Sequence, residues 1–399
     1  MSKNGKILIG LSIAAFLGPF TQTIYTPSLP EVGHFFHANS FMVNFTISIY
    51  TMILAASQFI IGPLSDTRGR RATLLPGLFL FMIGSLICFL ATNYLIFLLG
   101  RAIQAFGIST GSVVAAAVIG DIFAPSEQGR AMSFYQTMVF LGPVLGPLLG
   151  SVIASYYDWK WLFFILISGA IIVSVYNAKT LHETLTKDRT PKKITIQTFK
   201  NILFDKSAFP IMLLGFFQFY GYYIYLVFLP SLLDELYQVS LTVKGLFFMP
   251  LTAGIVLGTF LGGKVQQYLT HKLILVYTSY GIGIVVSIFW ISLWLNALMI
   301  PILILLLLAY GILLGMSLPS QSTTLVNLFL NQKGTAIGVY NFIRFTGAAI
   351  GPLLGAAFYA MGGNHALYIS LFFFLLAAAF VIHKNLEDPF EASKISADF

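Results

Sequence analysis

The sequence predicts an all-α membrane protein, with twelve transmembrane helices arranged as two pseudo-symmetric six-helix bundles. Three observations carry this prediction. Of 399 residues, 57% are apolar and only 9% charged, with a mean hydropathy of +0.86. Soluble domains carry roughly 25% charged residues, so the solvent for this surface is lipid. Apolar runs approach the ~20 residues that a helix needs to cross the hydrocarbon, and twelve of them follow one another. Finally, Gly142-Pro-Val-Leu-Gly-Pro-Leu-Leu-Gly150 has a near copy at Gly347-Ala-Ala-Ile-Gly-Pro-Leu-Leu-Gly355, 205 positions on. Both copies lie inside apolar runs, as expected of a chain built from two related halves whose functional business lies where they meet.

The runs lie at about 8–29, 42–63, 73–91, 95–118, 131–154 and 161–180, then 209–230, 246–265, 273–295, 300–320, 335–360 and 366–383. A transmembrane barrel would instead show short alternating segments. The first run leads into Tyr25-Thr-Pro-Ser-Leu-Pro30, not into a small-residue cleavage site, so no processed signal peptide is expected. Cys88 is the only cysteine, which excludes an internal disulfide and a thiol metal cluster. The long polar stretch 181–208, with Lys187, Asp188, Arg189, Pro191, Lys192 and Lys193, reads as a cytoplasmic linker carrying a short amphipathic helix at 194–204. It divides an N-terminal bundle (1–180) from a C-terminal bundle with a short tail (209–399). The repeat runs in parallel: Ile24, Tyr25, Leu29 and Pro30 recur at Ile224, Tyr225, Leu229 and Pro230, and Gly62 recurs at Gly262. Ordered matches on three pairs of spans imply a pseudo-two-fold axis along the membrane normal.

The net charge of +8 is a topology code, not a nucleic-acid signal. With the N-terminus inside, eighteen of the 22 Lys and Arg fall in cytoplasmic segments; Lys160 and Lys244 stay outside, and Arg101 and Arg344 lie within spans. That bias places both termini in the cytoplasm of a multi-pass protein of the cell membrane. The expected partners are the bilayer and a small-molecule substrate. No nucleic acid, metal or cofactor is expected, and a monomer suffices.

Between spans two and three lies Gly62-Pro-Leu-Ser-Asp-Thr-Arg-Gly-Arg-Arg71. Here the chain resembles the major facilitator superfamily, whose cytoplasmic signature is glycine, x, leucine, x, aspartate, then glycine and basic residues. Gly62, Leu64, Asp66, Gly69, Arg70 and Arg71 match it; Thr67 replaces a usual basic residue. The resemblance covers the whole chain and points to the drug:proton antiporter-like, twelve-span branch. Glycine permits close helix approach, and a carboxylate suits a neighbouring helix N-terminus. The start of span eleven is the expected receiver of Asp66, in a latch between the halves, although an ordinary positive-inside loop has the same composition. The second-half copy has lost the aspartate. The family also implies an ion pair from Asp121, at the end of span four, to Arg70 or Arg71.

Gly142, Gly146, Pro147 and Gly150 resemble the glycine-proline motif of exporter branches; Gly347, Gly351, Pro352 and Gly355 repeat it. Small residues four apart let backbones pack, and proline bends a helix. Arg101, Gln104 and Gly107 resemble the family's arginine-x-x-glutamine-glycine signature. A charge in hydrocarbon must face the bundle interior or a wet cavity, and Gln22 has the depth to accept from Arg101. Where the family often places an aspartate on span one, this chain has Thr23. Arg344 lies near the midplane of span eleven, one turn after Asn341, with no acid at similar depth. Either carbonyls, Asn341 and Gln218 satisfy it, or it faces the central cavity and meets an electronegative group of the substrate. Tyr222 and its aromatic neighbours on span seven, Tyr25, and the polar pair Asn44 and Ser48 complete the expected cavity lining.

Three functions remain open at this level. One is an exporter of amphipathic molecules driven by the proton gradient, its carboxylate-free cavity favouring neutral, zwitterionic or anionic cargo such as a drug, metallophore or siderophore. Another is a nutrient importer or uncoupled facilitator. The third is a membrane sensor that does not transport. No nucleophile–base pair or phosphate loop supports an enzyme, and no catalytic residue is assigned.

Overall fold

The computed structural model describes residues 2–185, 195–238 and 246–386; the side chains of Ser40, Phe41, Asn44, Ile196, Pro230 and Asp234 are outside the description. The linker residues Lys187 to Lys193 named above, and Lys244, lie outside the described residues. Every regular element among the described residues is helical: α1 Lys3–Thr23, α2 Leu29–Phe36, α3 Ser40–Arg68, α4 Arg70–Leu90, α5 Tyr94–Ile122, α6 Pro125–Tyr156, α7 Trp161–Thr180, α8 Ile196–Leu203, α9 Ala208–Tyr237, α10 Phe248–Val265, α11 His271–Trp294, α12 Ile300–Leu328 and α13 Lys333–Asn385. Among the described residues, eleven stretches are long and apolar enough to cross a membrane. The last, α13, holds two of the twelve expected spans. Its helix breaks at Gly362 and at Gly363, where φ is +61° and ψ −150°, a conformation open essentially to glycine alone and costing other residues about 1–3 kcal/mol.

Local chemistry sets the ends. Asn39 and Asn93 accept from the backbone N–H of Met42 and Ile96, both at 2.9 Å, capping the α3 and α5 N-termini. Pro125 occupies the first turn of α6, where its missing N–H costs nothing. Gly69, at φ +106°, ends α3 and starts α4. The short helix expected in the linker is α8, opened by a Thr195–Thr198 capping box.

The chain forms two compact units. The first is Met1–Ile194 together with Phe329–Val339; the second is Thr195–Leu328 with Tyr340–Phe399. In the first, α5 is the hub: Gly100, Arg101, Gln104 and most of 107–120 are buried, against α1, α3 and α4. In the second, α10 and α11 pack on α12, and Tyr225, Phe289, Tyr310 and Tyr368 form an aromatic core. Many large apolar side chains are exposed, among them Leu95, Ile172, Tyr277, Leu305 and Phe380. This is the pattern of helices whose outer faces meet lipid.

Candidate functional site

Two groups of polar side chains stand out, each confined to one unit. The first surrounds the α3–α4 turn. Asp66, whose side chain is 3% exposed, accepts four hydrogen bonds: Arg70 Nη1 at 2.6 Å, Gly334 N at 2.9 Å, and Thr335 N and Oγ1 each at 2.6 Å. Gly334 and Thr335 open α13, so the carboxylate satisfies N–H groups that the helix leaves unpaired and sits at its positive end. Gly62 makes this approach possible. A Cβ there would lie 2.8 Å from the Gly334 carbonyl and 3.0 Å from Thr335 Cα.

Arg70, fully buried, joins Asp66 to Asp121 through Nε at 3.0 Å and also donates to Ser65 Oγ at 2.9 Å. Of the two arginines expected for Asp121, the geometry selects Arg70; Arg71 Nη2 instead donates to the Ala178 carbonyl at 2.9 Å. Asp121 takes two further donors, Thr184 Oγ1 and Lys333 Nζ, each at 3.0 Å, and Lys333 also donates to the Gly120 carbonyl. Glu183 caps α4, accepting from Arg70 N at 2.8 Å and Arg71 N at 3.2 Å. A Cβ on Gly69 would fall 2.6 Å from that carboxyl carbon. Sequence reasoning missed Glu183, Thr184 and Lys333, treating them as linker or topology charge. A carboxylate shortly after the end of span six was the one available signal.

Next come the glycine seams. Gly142, Gly146 and Gly150 on α6 lie against α1: added Cβ atoms would meet Phe20 N at 2.8 Å, Ile24 N at 3.1 Å and the Ile24 carbonyl carbon at 2.8 Å. On α13, Gly347 and Gly351 lie against α9, their Cβ positions 2.9 Å from the Phe216 carbonyl carbon and 2.8 Å from the Tyr220 carbonyl oxygen; Gly355 faces the Phe228 ring at 2.9 Å. Pro147 and Pro352 sit within these helices, each half-buried. Thr23 belongs to the first seam, donating to the Pro19 carbonyl at 2.9 Å, in van der Waals range of Gly146.

Arg101 departs from expectation. Its guanidinium is completely buried, sandwiched between the Tyr25 ring (4.6 Å) and the Tyr50 ring (4.3 Å). Nη1 donates to Gln104 Oε1 at 2.6 Å and Nε to the Thr46 carbonyl at 3.5 Å. Gln22 instead donates to Thr51 Oγ1 at 2.8 Å. The expected Arg101–Gln22 pair is therefore corrected, because Gln104, three residues along the same helix, has the better reach. Gln104 also holds Ser85 (2.8 Å), and Tyr25 its neighbour Thr46 (2.8 Å). Arg101, Gln104 and Tyr25 thus form an interior network of the first unit in this structure, not a lining open to substrate.

The second group centres on Arg344, 5% exposed. Phe219, Tyr340 and Phe345 surround its guanidinium at 4.5, 5.2 and 5.2 Å. Its Nε and Nη1 are buried without an acceptor. The arrangement in which Gln218 would satisfy Arg344 is not found: Gln218 Oε1 accepts from Ser317 Oγ (2.9 Å) and Gln321 Nε2 (2.8 Å). Gln321 Oε1 in turn accepts from the Tyr340 hydroxyl at 2.9 Å. Sequence reasoning overlooked Ser317 and Gln321, although the polar run Ser317-Leu-Pro-Ser-Gln-Ser-Thr-Thr324 inside an apolar span was there to be read. Asn341 and Tyr222 are buried nearby on α13 and α9. Ser48 is exposed, and the Asn44 side chain lies outside the described residues. His34 and His37 line an open groove of about 490 Å³. Among the described residues no cluster of three metal-ligating side chains occurs.

Comparison with known proteins agrees with this architecture. The chain is 27% identical over 355 residues to the uncharacterized MFS-type transporter YdgK of Bacillus subtilis, covering 86% of this chain and 87% of that protein. It is 26% identical over 214 residues, 53% of each chain, to multidrug resistance protein D of Escherichia coli. Among solved structures, the human organic anion transporter MFSD10 (TETRAN) superposes with a TM-score of 0.81 at 17% identity, over 96% of this chain and 100% of that one. The proton:xylose symporter XylE matches with the same TM-score at 16% identity, over 96% of each chain. The family model described as Major Facilitator Superfamily matches residues 11–352, and the chain belongs to that family of transporters.

Proposed function

We propose that this transporter is a secondary active exporter, resident in the cell membrane with both termini in the cytoplasm. It moves small amphipathic molecules by alternating access, coupled to the proton gradient. Its cargo is neutral, zwitterionic or anionic: a drug, or a secreted metabolite such as a metallophore or siderophore. It performs no catalytic chemistry and acts as a monomer. The charge inventory of the spans carries the cargo reading. Arg101 and Arg344 are buried within them, while the described carboxylates keep to the ends of helices: Asp66 near the end of α3, Asp121 near the end of α5, Glu235 near the end of α9, with Glu31 in α2 and Asp158 after α6. A buried cation beside Arg344 would add like-charge repulsion to its own desolvation cost, whereas an anion there gains a partner that offsets part of that cost.

In this reading the Asp66–Arg70–Asp121 cluster is a conformational latch. Asp66 satisfies the start of α13, and releasing it exposes four donors at once. The glycine seams are the packing that survives the cycle. A facilitator without proton coupling is the second reading, favoured by the same placement of carboxylates, since none of those described sits in mid-span.

Uptake into inside-out vesicles, with and without an imposed pH gradient, tests the proposal across cationic, neutral and anionic aromatic compounds. Gradient-driven accumulation of neutral and anionic compounds is expected. A preference for cations overturns the charge argument, and indifference to the gradient selects the facilitator. Asp66→Asn should cripple transport at normal expression; wild-type rates from it dispose of the latch.

A further inference from the structure

Arg344 is the one described cation in a span with two guanidinium nitrogens buried and unpartnered. Arg101 and Arg70 each leave only Nη2 without an acceptor and spend the rest on Gln104 and Thr46, or on Ser65, Asp66 and Asp121. Among the described residues, the second unit pairs Arg344 with no carboxylate. Its described acids, Asp205 and Glu235, precede α9 and lie near its end, and Glu235 is taken by Tyr359 and by Asn364 Nδ2 at 2.7 Å.

The surroundings are closely packed and hydrogen-bonded, which argues against simple neglect of a buried charge. Phe219 is held by the seam: Gly347 and Gly351 bring the α13 backbone onto Phe216 and Tyr220, and Phe219 lies between those two contacts on α9. Tyr340 is fixed through its hydroxyl on Gln321, which is tied to Gln218 and to Ser317 at 3.0 Å. Gly215 admits the Tyr340 ring, which a Cβ there would approach to 2.7 Å. Two of the three rings, Phe219 and Tyr340, are therefore positioned against the guanidinium by a seam and a hydrogen-bonded network, and Phe345 lies 6.2 Å from Phe219 between centroids.

Rings interact with the faces of a guanidinium, whereas its N–H bonds lie in its plane. The cage thus offsets part of the desolvation cost and leaves Nε and Nη1 without an acceptor. Nε and Nη1 lie on different edges of the guanidinium, so a carboxylate would engage one of them in a charge-assisted hydrogen bond and leave the other to a second acceptor. The rings that complete the environment, with Tyr222 beside Phe219 (6.1 Å between centroids), suit an aromatic body. Gln218 Nε2 is a further buried donor without an acceptor in the same unit, and Gln218 precedes Phe219 directly.

We infer that Arg344, in its cage of Phe219, Tyr340 and Phe345, is a carboxylate-binding site for an aromatic acid. The inference rests on the exporter reading for its meaning and narrows the cargo of that reading from neutral-or-anionic to arylcarboxylate. Bound carboxylate gives the buried charge the partner it lacks, so the ligand stabilises the folded protein.

The test is direct binding to the purified full chain in lipid nanodiscs, with benzoate, benzamide and benzylamine as size-matched probes, followed by titration calorimetry and by thermal melting. Benzoate should bind at least tenfold more tightly than benzamide, benzylamine should not bind, and only benzoate should raise the melting temperature. Arg344→Gln should lose benzoate binding at least tenfold, while the protein still elutes as a folded monodisperse species with unchanged helical circular dichroism. Arg344→Lys, which keeps charge but loses the planar edge, should fall between. Phe219→Leu, which opens the cage without removing the cation, should weaken benzoate several-fold. Equal binding of benzoate and benzylamine, or undiminished benzoate binding by a folded Arg344→Gln, overturns the inference. If Arg344→Gln does not fold, Phe219→Leu and the probe series decide alone. Benzoate binding without vesicle transport sinks the exporter reading and leaves the site standing; transport of neutral compounds without benzoate binding does the reverse.

Discussion

The two units build the same seam and load it differently. Gly142, Gly146 and Gly150 press α6 onto α1, and Gly347, Gly351 and Gly355 press the first leg of α13 onto α9. Beside the first seam, Arg101 is enclosed by Tyr25, Tyr50, Gln104 and the Thr46 carbonyl. Beside the second, Arg344 has aromatic faces, and its Nε and Nη1 lack an acceptor. The turns diverge as well. Two hundred positions after Asp66 stands Gln266, whose amide turns back to the Gly262 carbonyl of its own helix at 3.2 Å; after Arg70 stands Thr270, which merely caps α11. What is repeated is packing between backbones. What is unrepeated is charge, and it falls into an ionic cluster in one unit and an unsatisfied cation in the other.

The largest expected contrast is at the turns. Arg70→Met leaves two buried carboxylates short of a partner and should destabilise the protein by about 3–5 kcal/mol. Gln266→Ala should cost at most about 1 kcal/mol. Thermal melts of the two variants in the same detergent compare them, and similar losses would mean that the ionic cluster is ornamental.

Next in size are the seams. Leucine at Gly146 or at Gly351 must displace main-chain atoms, so each should cost about 1–3 kcal/mol by overpacking. A silent variant on one side, read by the same melts, would show that the seams are not equivalent.

The arginines offer the sharpest difference in sign. Arg101→Met strands Gln104 Oε1 in the interior and should destabilise by about 1–3 kcal/mol. Arg344→Met removes a charge without acceptors and should be neutral or stabilising, as replacements of buried charge by apolar groups often are. A marked loss of stability from Arg344→Met would mean that Arg344 is satisfied in the resting protein. The smallest effect is expected from Thr184→Val, which removes one hydrogen bond to Asp121 worth about 0.5–1.5 kcal/mol; a loss as large as that of Arg70→Met would make Thr184 a principal anchor.

Hydropathy alone made the helices legible, down to the gap between 360 and 366 where Gly362 and Gly363 interrupt α13. In lipid every backbone group must be satisfied within its own segment, so the length of an apolar run nearly dictates the element. The repeat was legible because small residues at four-residue spacing leave a mark that survives divergence. Side-chain partners were another matter. Gln104, three residues along the same helix, is within reach of Arg101 however α5 is turned, but whether Gln22 on α1 also meets it depends on how the two helices face each other, and Gln22 turns to Thr51 instead. Glu183 reads as linker until the chain folds back to cap α4. Lys333 reads as a topology charge until Asp121 and Gly120 receive it.

The sequence by itself determined that this chain spans a membrane as paired bundles, that cations and not acids lie in the middle of its spans, and where its backbones can touch. Each of these depends on composition along a single segment. Only the tertiary structure decided which cation is satisfied and which is not, because that depends on how one helix is turned toward the next, and a rotation of a few tens of degrees exchanges one partner for another without altering hydropathy.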